Sequence, residues 1–198
     1  MRDVPPERID VDGARLRRLC VDDAAAVASA VAESLDHLRP WMPWADERST
    51  DPAFQRRRLA GMVEKWERRE EFEYGIFARE ADATALGMIS LMTRRGGDRL
   101  EIGYWLHVAA CGRGLARHAT AALTDAGLRL PGVARILVYC DQANARSAAV
   151  PRALGFRLLR VEPARATAAG ETGRPMVWAR DTPIGPRAPA TVTPPGPA

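Results

Sequence analysis

Between Phe72 and Leu106 the chain changes its hydrophobic period and keeps the new one, and this stretch limits the possible folds more than any other. Just before it, Leu59, Met62, Val63 and Trp66 recur at helical spacing, while Arg56, Arg57, Arg58, Glu67 and Arg68 occupy the solvated side. From Phe72 onward, Phe72, Tyr74, Ile76 and Ala78 alternate with Glu71, Glu73 and Arg79, the period of a strand. Leu86–Thr93 and Leu100–Leu106 read as two more strands, separated by the turn Arg94-Arg95-Gly96-Gly97-Asp98. Three consecutive strands with short links predict an antiparallel meander.

The flanks complete the pattern. Arg15–Cys20 reads as a short strand, and Asp22 or Asp23 is placed to cap an Ala/Val-rich helix running to about Ser34. Two prolines exclude a regular helix from His37-Leu38-Arg39-Pro40-Trp41-Met42-Pro43-Trp44. Asp51-Pro52 opens the next helix, with proline in its first turn. After the meander come a glycine-containing loop, a helix with Leu115, Ala119, Ala122, Leu123 and Ala126 on one side, and a strand at Ile136–Cys140. A short helix at Asn144–Leu154, stopped by Gly155, precedes closing strands at Phe156–Val161 and Met176–Arg180. The order β-α-α-β-β-β-α-β-α-β-β predicts an α/β (α+β) domain with one mixed, mostly antiparallel sheet and helices on both faces. Its expected limits are 13–180, after a loose segment at 1–12. Residues 181–198 hold six prolines and no periodicity, and are expected to form a disordered tail.

Composition excludes several classes. Of the 198 residues, 46% are hydrophobic and 27% charged, which is ordinary for a globular fold. No apolar run approaches the ~18 residues of a membrane helix, and the start carries no apolar leader, so no membrane association is expected. Cys20, Cys111 and Cys140 are too far apart for a CxxC pair, and with His37, His107 and His118 equally scattered no metal site is expected. Reduced thiols fit a cytoplasmic protein. The net charge of +4 is carried by arginine except at Lys65, but the arginines are spread along the chain without interleaved aromatics. Direct nucleic-acid binding is therefore not expected.

The loop Gly112-Arg113-Gly114-Leu115-Ala116 carries the clearest chemistry. It follows a strand and starts a helix. Glycines let the backbone turn tightly and approach a ligand, and the free N–H groups of a helix start attract an anion such as a pyrophosphate, with Arg113 adding charge. A plain strand-to-helix link would have the same composition.

Around that loop the chain resembles the GNAT superfamily of acyl-CoA-dependent N-acyltransferases. Gly114 and Ala116 fit the last fixed positions of the family's loop, although Cys111 stands where Arg or Gln is usual. Leu100-Glu101-Ile102-Gly103-Tyr104-Trp105-Leu106 resembles the preceding strand, and Asn144-x-x-Ser147 with Ala153-Leu154-Gly155-Phe156 the second cofactor-side helix and its exit. The segment from His37 to Trp44 is similar to the acceptor side of the Rim-type, ribosomal-protein N-terminal acetyltransferase branch. The blocks keep order and spacing from about residue 15 to 180.

The resemblance implies a splayed sheet, with acetyl-CoA as co-substrate between the strands at Glu101–Leu106 and Ile136–Cys140. Backbone groups around Trp105, Leu106 and Val108 would bond the pantetheine arm, Gly112, Arg113, Gly114, Leu115 and Ala116 would hold the pyrophosphate, and Asn144 would touch the arm. Alternation puts Glu101, Gly103 and Trp105 on one face of their strand and Ile102, Tyr104 and Leu106 on the core face. Glu101 is thus charged in an otherwise apolar strand. It coincides with the family's base position, its other reading being a salt bridge. Ser147 matches the position proposed to protonate the departing thiolate, its other reading being a helix cap. Trp41 and Trp44 read either as core anchors or as the wall of the acceptor site.

The implied activity is acetyl transfer to a primary amine by direct attack in a ternary complex. An α-amine with pKa near 7.7–8.0 is roughly a tenth neutral at pH 7, against well under a thousandth for a lysine amine, which favours a protein or peptide N-terminus. The alternatives are a small aminoacyl or antibiotic-like amine as acceptor, and a non-catalytic acyl-CoA-binding module. The module reading draws on Cys111 and on Arg174-Pro175-Met176, where an acidic residue is usual. A monomer and a homodimer are both compatible with the sequence.

Overall fold

The structure, a computed structural model, describes residues 4–79 and 81–185. Twelve regular elements follow one another: β1 (Arg8–Val11), β2 (Ala14–Arg18), α1 (Ala24–Leu38), α2 (Pro52–Glu67), β3 (Glu71–Ala78), β4 (Ala81–Met92), β5 (Arg99–Leu106), α3 (Leu115–Leu128), β6 (Arg135–Asp141), α4 (Ala145–Ala153), β7 (Arg157–Val161) and β8 (Pro175–Arg180). The strands form an eight-stranded sheet in the order β1-β2-β3-β4-β5-β6-β8-β7. All neighbours are antiparallel except β5 and β6. This is the mixed, mostly antiparallel α/β sheet expected from the sequence.

Local chemistry sets the helix starts. The Asp51 carboxylate accepts from Ala53 N at 2.9 Å, and Pro52 occupies the first turn, where a missing N–H costs nothing. Asp23 precedes α1 but does not cap it. Its carboxylate instead binds Arg17 at 2.7 and 2.9 Å and Cys20 N at 2.8 Å, tying the helix start to β2. Helix α1 runs on to Leu38, beyond the Ser34 expected, because Leu35 and Leu38 still face the core.

Helices cover both faces of the sheet. On one, α1 and α2 bury Val27, Val31, Leu59 and Met62 against Phe77, Met88 and Trp105. On the other, α3 buries Leu115, Ala119 and Leu123 against Leu100, Ile102, Ile136 and Val138. Leu123 and Ile136 are fully enclosed, and burying such a side chain contributes roughly 1.5–3 kcal/mol.

The parallel pair positions the site. β5 and β6 pair only from Arg99↔Arg135 to Ile102↔Val138. Beyond that, Gly103–Leu106 stays with β4 and Tyr139–Asp141 stays with β8. The sheet opens between them. Opposite the opening, β4 carries an irregularity: Ile76 faces Gly87 and Phe77 faces Ala85, so Leu86 is an extra residue. Bulges of this kind bend a strand and sharpen its twist. Gly87 has φ +145, and a Cβ there would stand 2.2 Å from Trp105 O and 2.9 Å from Leu106 Cα. Only glycine lets β4 run this close to the end of β5, where Gly87 faces Leu106.

Two segments differ from expectation. Arg8–Val11, within the stretch 1–12 read as loose, is a strand paired with Ala14–Arg17 through the turn Asp12-Gly13, where Gly13 has φ +77. In the tail, Asp181 pairs with Arg135 at 2.6 Å, and the N–H groups of Ile184 and Gly185 donate to the Asp125 carboxylate at 2.5 and 3.1 Å. The rest of the proline-rich tail expected at 181–198 lies outside the described residues.

Candidate active site

The opening between β5 and β6 is a cleft of about 280 Å³. Its floor is the start of α3. Gly112 and Gly114 adopt φ +77 and +79, and Gly114 precedes the helix with no side chain capping it. The N–H groups of the first turn are therefore left to a ligand, and a helix start favours an anionic one. Gly112, Gly114, Leu115 and Ala116 line the cleft. Arg113 does not: it borders the shallow groove that continues between Gly112–Gly114 and Val150–Ala153. The cationic side chains lining the cleft are Arg117 and Arg146, neither singled out from the sequence.

One wall is β5. His107 N donates to Leu86 O at 2.9 Å, and bonding alternates along an antiparallel pair. The backbone groups of Trp105 and Gly103 therefore face β4, whereas those of Tyr104 and Leu106 face the cleft. Of the three residues expected to bond a pantetheine arm, Leu106 offers its backbone there. Trp105 offers its ring instead; the indole is 6% exposed and its N–H has no partner among the described residues. Val108 does not line the cleft, and its N–H donates to Ser34 Oγ at 3.0 Å.

The opposite wall is the start of α4. Asn144 Oδ1 accepts from Ser147 N at 3.0 Å, which caps the helix and leaves the amide nitrogen of Asn144 for the cleft. Ser147 Oγ lies 3.1 Å from the hydroxyl of Tyr104, which also lies 3.0 Å from Ser147 O. Sequence alternation assigned Tyr104 to the core, and its ring does point to that face. The face opens where β5 leaves β6, so the ring reaches the site. Burial pushes the Tyr104 phenol well above its usual range, and the contact with Ser147 opposes this only in part. Tyr104 therefore stays an O–H donor.

A second cavity, of about 470 Å³, adjoins the first. Trp41, Met42, Tyr104, Asn144 and Ser147 line both. The loop from Glu162 to Arg174 covers it: Gly170 N donates to Pro40 O at 2.8 Å and Ala164 N to Gly173 O at 2.9 Å. Asp141 anchors this loop, accepting from Ala143 N at 2.9 Å, Thr172 Oγ1 at 2.8 Å and Arg174 N at 3.0 Å. Burial alone would raise its carboxyl, but these donors hold it below the usual range.

Glu101 lines this second cavity and is 2% exposed. Arg94 Nη2 donates to one carboxylate oxygen and Arg95 Nε to the other, the latter at 2.6 Å. Arg95 also lies over the Tyr139 ring, 4.0 Å from its centroid. Glu101 was expected to act as base directly or through water; the structure shows the alternative salt bridge, with one guanidinium donor on each oxygen.

A third cavity, also about 470 Å³, lies between α2 and the sheet. Trp44 lines it, with its ring 5.9 Å from that of Trp105 and Arg58 5.2 Å from its centroid. The two tryptophans of the proline-rich segment are thus separated: Trp41 stands where the first two cavities meet, Trp44 over the third. Glu73 also lines the third cavity, and burial pushes its carboxyl up to about 7.

Neither cleft-side thiol is activated, because burial pushes both Cys111 and Cys140 up. Cys111 Sγ contacts His37 Nε2 at 3.5 Å. Among the described residues no group of three or more His, Cys, Asp or Glu is placed to hold a metal ion, and no helix is long and apolar enough to cross a membrane.

A sheet splayed beside an uncapped, glycine-led helix start is the architecture of an acyltransferase. Residues 14–157 match the acetyltransferase (GNAT) domain, and the chain belongs to that family of enzymes. A curated relative is the [ribosomal protein uS5]-alanine N-acetyltransferase of Escherichia coli K12, 28% identical over 155 residues, which span 77% of this chain and 79% of the relative. Among solved structures, the ribosomal L7/L12 alpha-N-protein acetyltransferase RimL in complex with coenzyme A superposes with a TM-score of 0.79 at 22% identity, covering 90% of this chain and 100% of that one. The ribosomal-protein-S5-alanine acetyltransferase of Vibrio fischeri gives 0.77 at 22% identity, covering 90% and 99%.

Proposed function

We propose that the protein transfers the acetyl group of acetyl-CoA to the α-amino group of a protein N-terminus, by direct attack within a ternary complex. One observation carries this reading. The cleft and the second cavity meet at Tyr104, Asn144 and Ser147, so a thioester entering from one side and an amine from the other converge on the same pair of hydroxyls. The curated relative acts on alanine of ribosomal protein uS5, and a ribosomal-protein acceptor would place the reaction in the cytoplasm.

The residue roles follow from position. The N–H groups of Gly112–Ala116 hold the pyrophosphate, with Arg117 and Arg146 supplying charge beside it and Arg113 in the adjoining groove. Leu106 backbone and the Asn144 amide bond the pantetheine arm. Ser147, backed by the Tyr104 hydroxyl, donates to the departing thiolate. A thiol has pKa near 8.5, so this step asks for a modest donor. Trp41 forms the floor where acyl group and amine meet, and Trp44 walls the adjoining acceptor space. Glu101 holds Arg94 and Arg95 at the rim of the acceptor cavity.

The test is an acceptor screen. Thiol release from acetyl-CoA is followed with N-terminal peptides, with the same peptides blocked at the α-amine but carrying lysine, and with small aminoacyl compounds. Mass spectrometry locates the added acetyl group. α-Acetylated peptide as the main product supports the reading, and turnover confined to small aminoacyl compounds overturns the choice of acceptor.

A further inference from the structure

The proton that leaves the acceptor amine needs a destination, and the two acceptor-side cavities offer several carboxylates. All but one are committed. Glu101 is held by Arg94 and Arg95, Glu71 by Lys65 at 2.6 Å, and Glu162 by Arg160 at 2.6 Å. Asp141 and Glu171 accept from the backbone and hydroxyls of their own loop. No hydrogen bond or ion pair to the Glu73 carboxylate forms among the described residues, although it lines a cavity, is half-buried and has Arg58 as its leading charged neighbour.

The sheet register connects Glu73 to the reaction centre. Glu73 stands opposite Ser90, and Ser90 opposite Gly103, so three adjacent strands carry them in one row on the face under α2. With strands ~4.8 Å apart, the row spans ~10 Å. Ser90 Oγ lies 3.4 Å from Gly103 O, and the space over Gly103 is bordered by Ser90 Oγ and the flexible end of Met92. Gly103 and Tyr104 line both this cavity and the one at the junction. A cavity of about 470 Å³ has room for several waters at ~30 Å³ each.

We propose that Glu73 is the remote proton acceptor of the reaction, receiving the proton of the acceptor ammonium through water along the Ser90–Gly103 row. This rests on reading the site as an N-acetyltransferase. The ammonium gives its first proton by way of water to Glu73. The freed nitrogen lone pair forms the C–N bond, and the C–S bond breaks with its electron pair going to sulfur. The second nitrogen proton balances the one that the thiolate takes at the Tyr104–Ser147 hydroxyl pair, and Glu73 returns its proton to solvent. The sum is ammonium plus thioester giving amide, thiol and one released proton.

The surrounding charges suit that task. Burial raises the Glu73 carboxyl to about 7; Arg58 opposes this, Glu71 adds to it, and Lys65 and Arg94 oppose it. Arg58 and Lys65 come from α2, Glu71 from the same strand, and Arg94 from the β4–β5 turn. An acceptor titrating near 7 matches an α-ammonium titrating near 8 better than an ordinary carboxylate does.

The test is the pH dependence of kcat/KM with acetyl-CoA and an N-terminal peptide. The wild-type rate should rise with pH through an acid limb near 7. Glu73→Gln should lose at least ~10-fold at pH 7. Its limb should move up toward 8, where the amine ionises unaided, while CoA affinity stays unchanged; Glu73→Asp should restore a lower limb. A Glu73→Gln limb that stays in place, or a deficit equal at every pH, overturns the proposal. So does a limb that moves instead with Glu101→Gln. A wild-type protein that acetylates no peptide but acetylates a small amine refutes the acceptor reading alone, and the same limb comparison then decides on Glu73 with that amine.

Discussion

The cleft and the cavity under α2 lie on either side of Tyr104 and are built from different materials. The cleft is walled largely by apolar side chains, among them Leu38, Trp41, Met42, Trp105 and Val150, above the glycine-led start of α3 and the opened edge of β5. The cavity under α2 is walled by side chains, many of them charged: Arg57, Arg58, Lys65, Glu71, Glu73 and Arg94. A mostly apolar cleft with free backbone N–H groups at one end recognises what every donor molecule shares. A side-chain-lined cavity is free to change with the acceptor without disturbing the fold. The first depends on special φ values and the second on charge balance, so they should break under different substitutions.

The largest effect is expected beside the end of β5, the strand that both regions share. Gly87→Ala puts a Cβ 2.2 Å from Trp105 O at a φ of +145. Strain and displaced backbone of this kind cost ~1–3 kcal/mol. For a chain of this size the melting temperature should fall by at least ~2–4 °C. Acetyl-CoA and acceptor KM should rise together, because β5 carries both regions. An unchanged melting temperature and unchanged kinetics would show that the bulge does not hold the opening.

Next comes a change confined to the cleft. Gly114→Asp adds a negative charge at the start of α3, where the φ of +79 already disfavours a side chain. CoA affinity measured by calorimetry should fall by at least ~10-fold, with the protein still folded. Acceptor binding should be spared. Unchanged CoA affinity would refute the placement of the pyrophosphate.

How much of this was legible in the sequence follows the same division. The meander, both helix pairs and the Gly112–Ala116 loop were readable because each is a local signal: a period, a cap or a glycine before a helix. Strand β1 was missed because Arg8-Ile9-Asp10-Val11 is short and half charged, yet Asp12-Gly13 is a recognisable hairpin turn. Tyr104 was assigned to the core by strict alternation, which fails where a strand parts from its neighbour, and no local residue announces that parting. The N–H of Val108 is taken by Ser34, a partner 74 residues away. Glu101 was recognised as out of place among apolar neighbours, but its two arginines arrive through the turn at Arg94-Arg95. Glu73 carried no signal at all, because alternation with Phe72 and Tyr74 is what any half-covered strand shows. Only the packing of α2 over it makes the position unusual.

A smaller effect is expected at the junction. Ser147→Ala and Tyr104→Phe each remove one hydroxyl of the pair. A thiolate is a good leaving group, so kcat should fall by less than the ~10²-fold at the lower end of general-acid contributions, with little change in acetyl-CoA KM. If the pair acts as a unit, the double variant should lose no more than the worse single one. Additive losses would assign the two hydroxyls separate tasks.

The smallest effect concerns stability and isolates the cavity under α2 from the cleft altogether. The carboxyl of Glu73 titrates at about 7 in the fold, against 4.5 when free. Between those values the folded state binds more protons than the unfolded one, so this group contributes stability at low pH that is lost as pH rises toward and through 7. Glutamine has nearly the same shape and no charge to desolvate. Glu73→Gln should therefore melt close to wild type at pH 5 and ~2–4 °C above it at pH 8, a gain on the order of 1 kcal/mol. Other carboxylates titrate alike in both proteins and cancel in the difference. A variant that loses stability at pH 8 would mean that the negative charge of Glu73 is compensated in place by Arg58, and the cavity would then be a structural ion-pair site. A gain at pH 8 alone would show that the fold tolerates an unpaired carboxylate there at a measurable cost, as a residue retained for its proton affinity requires.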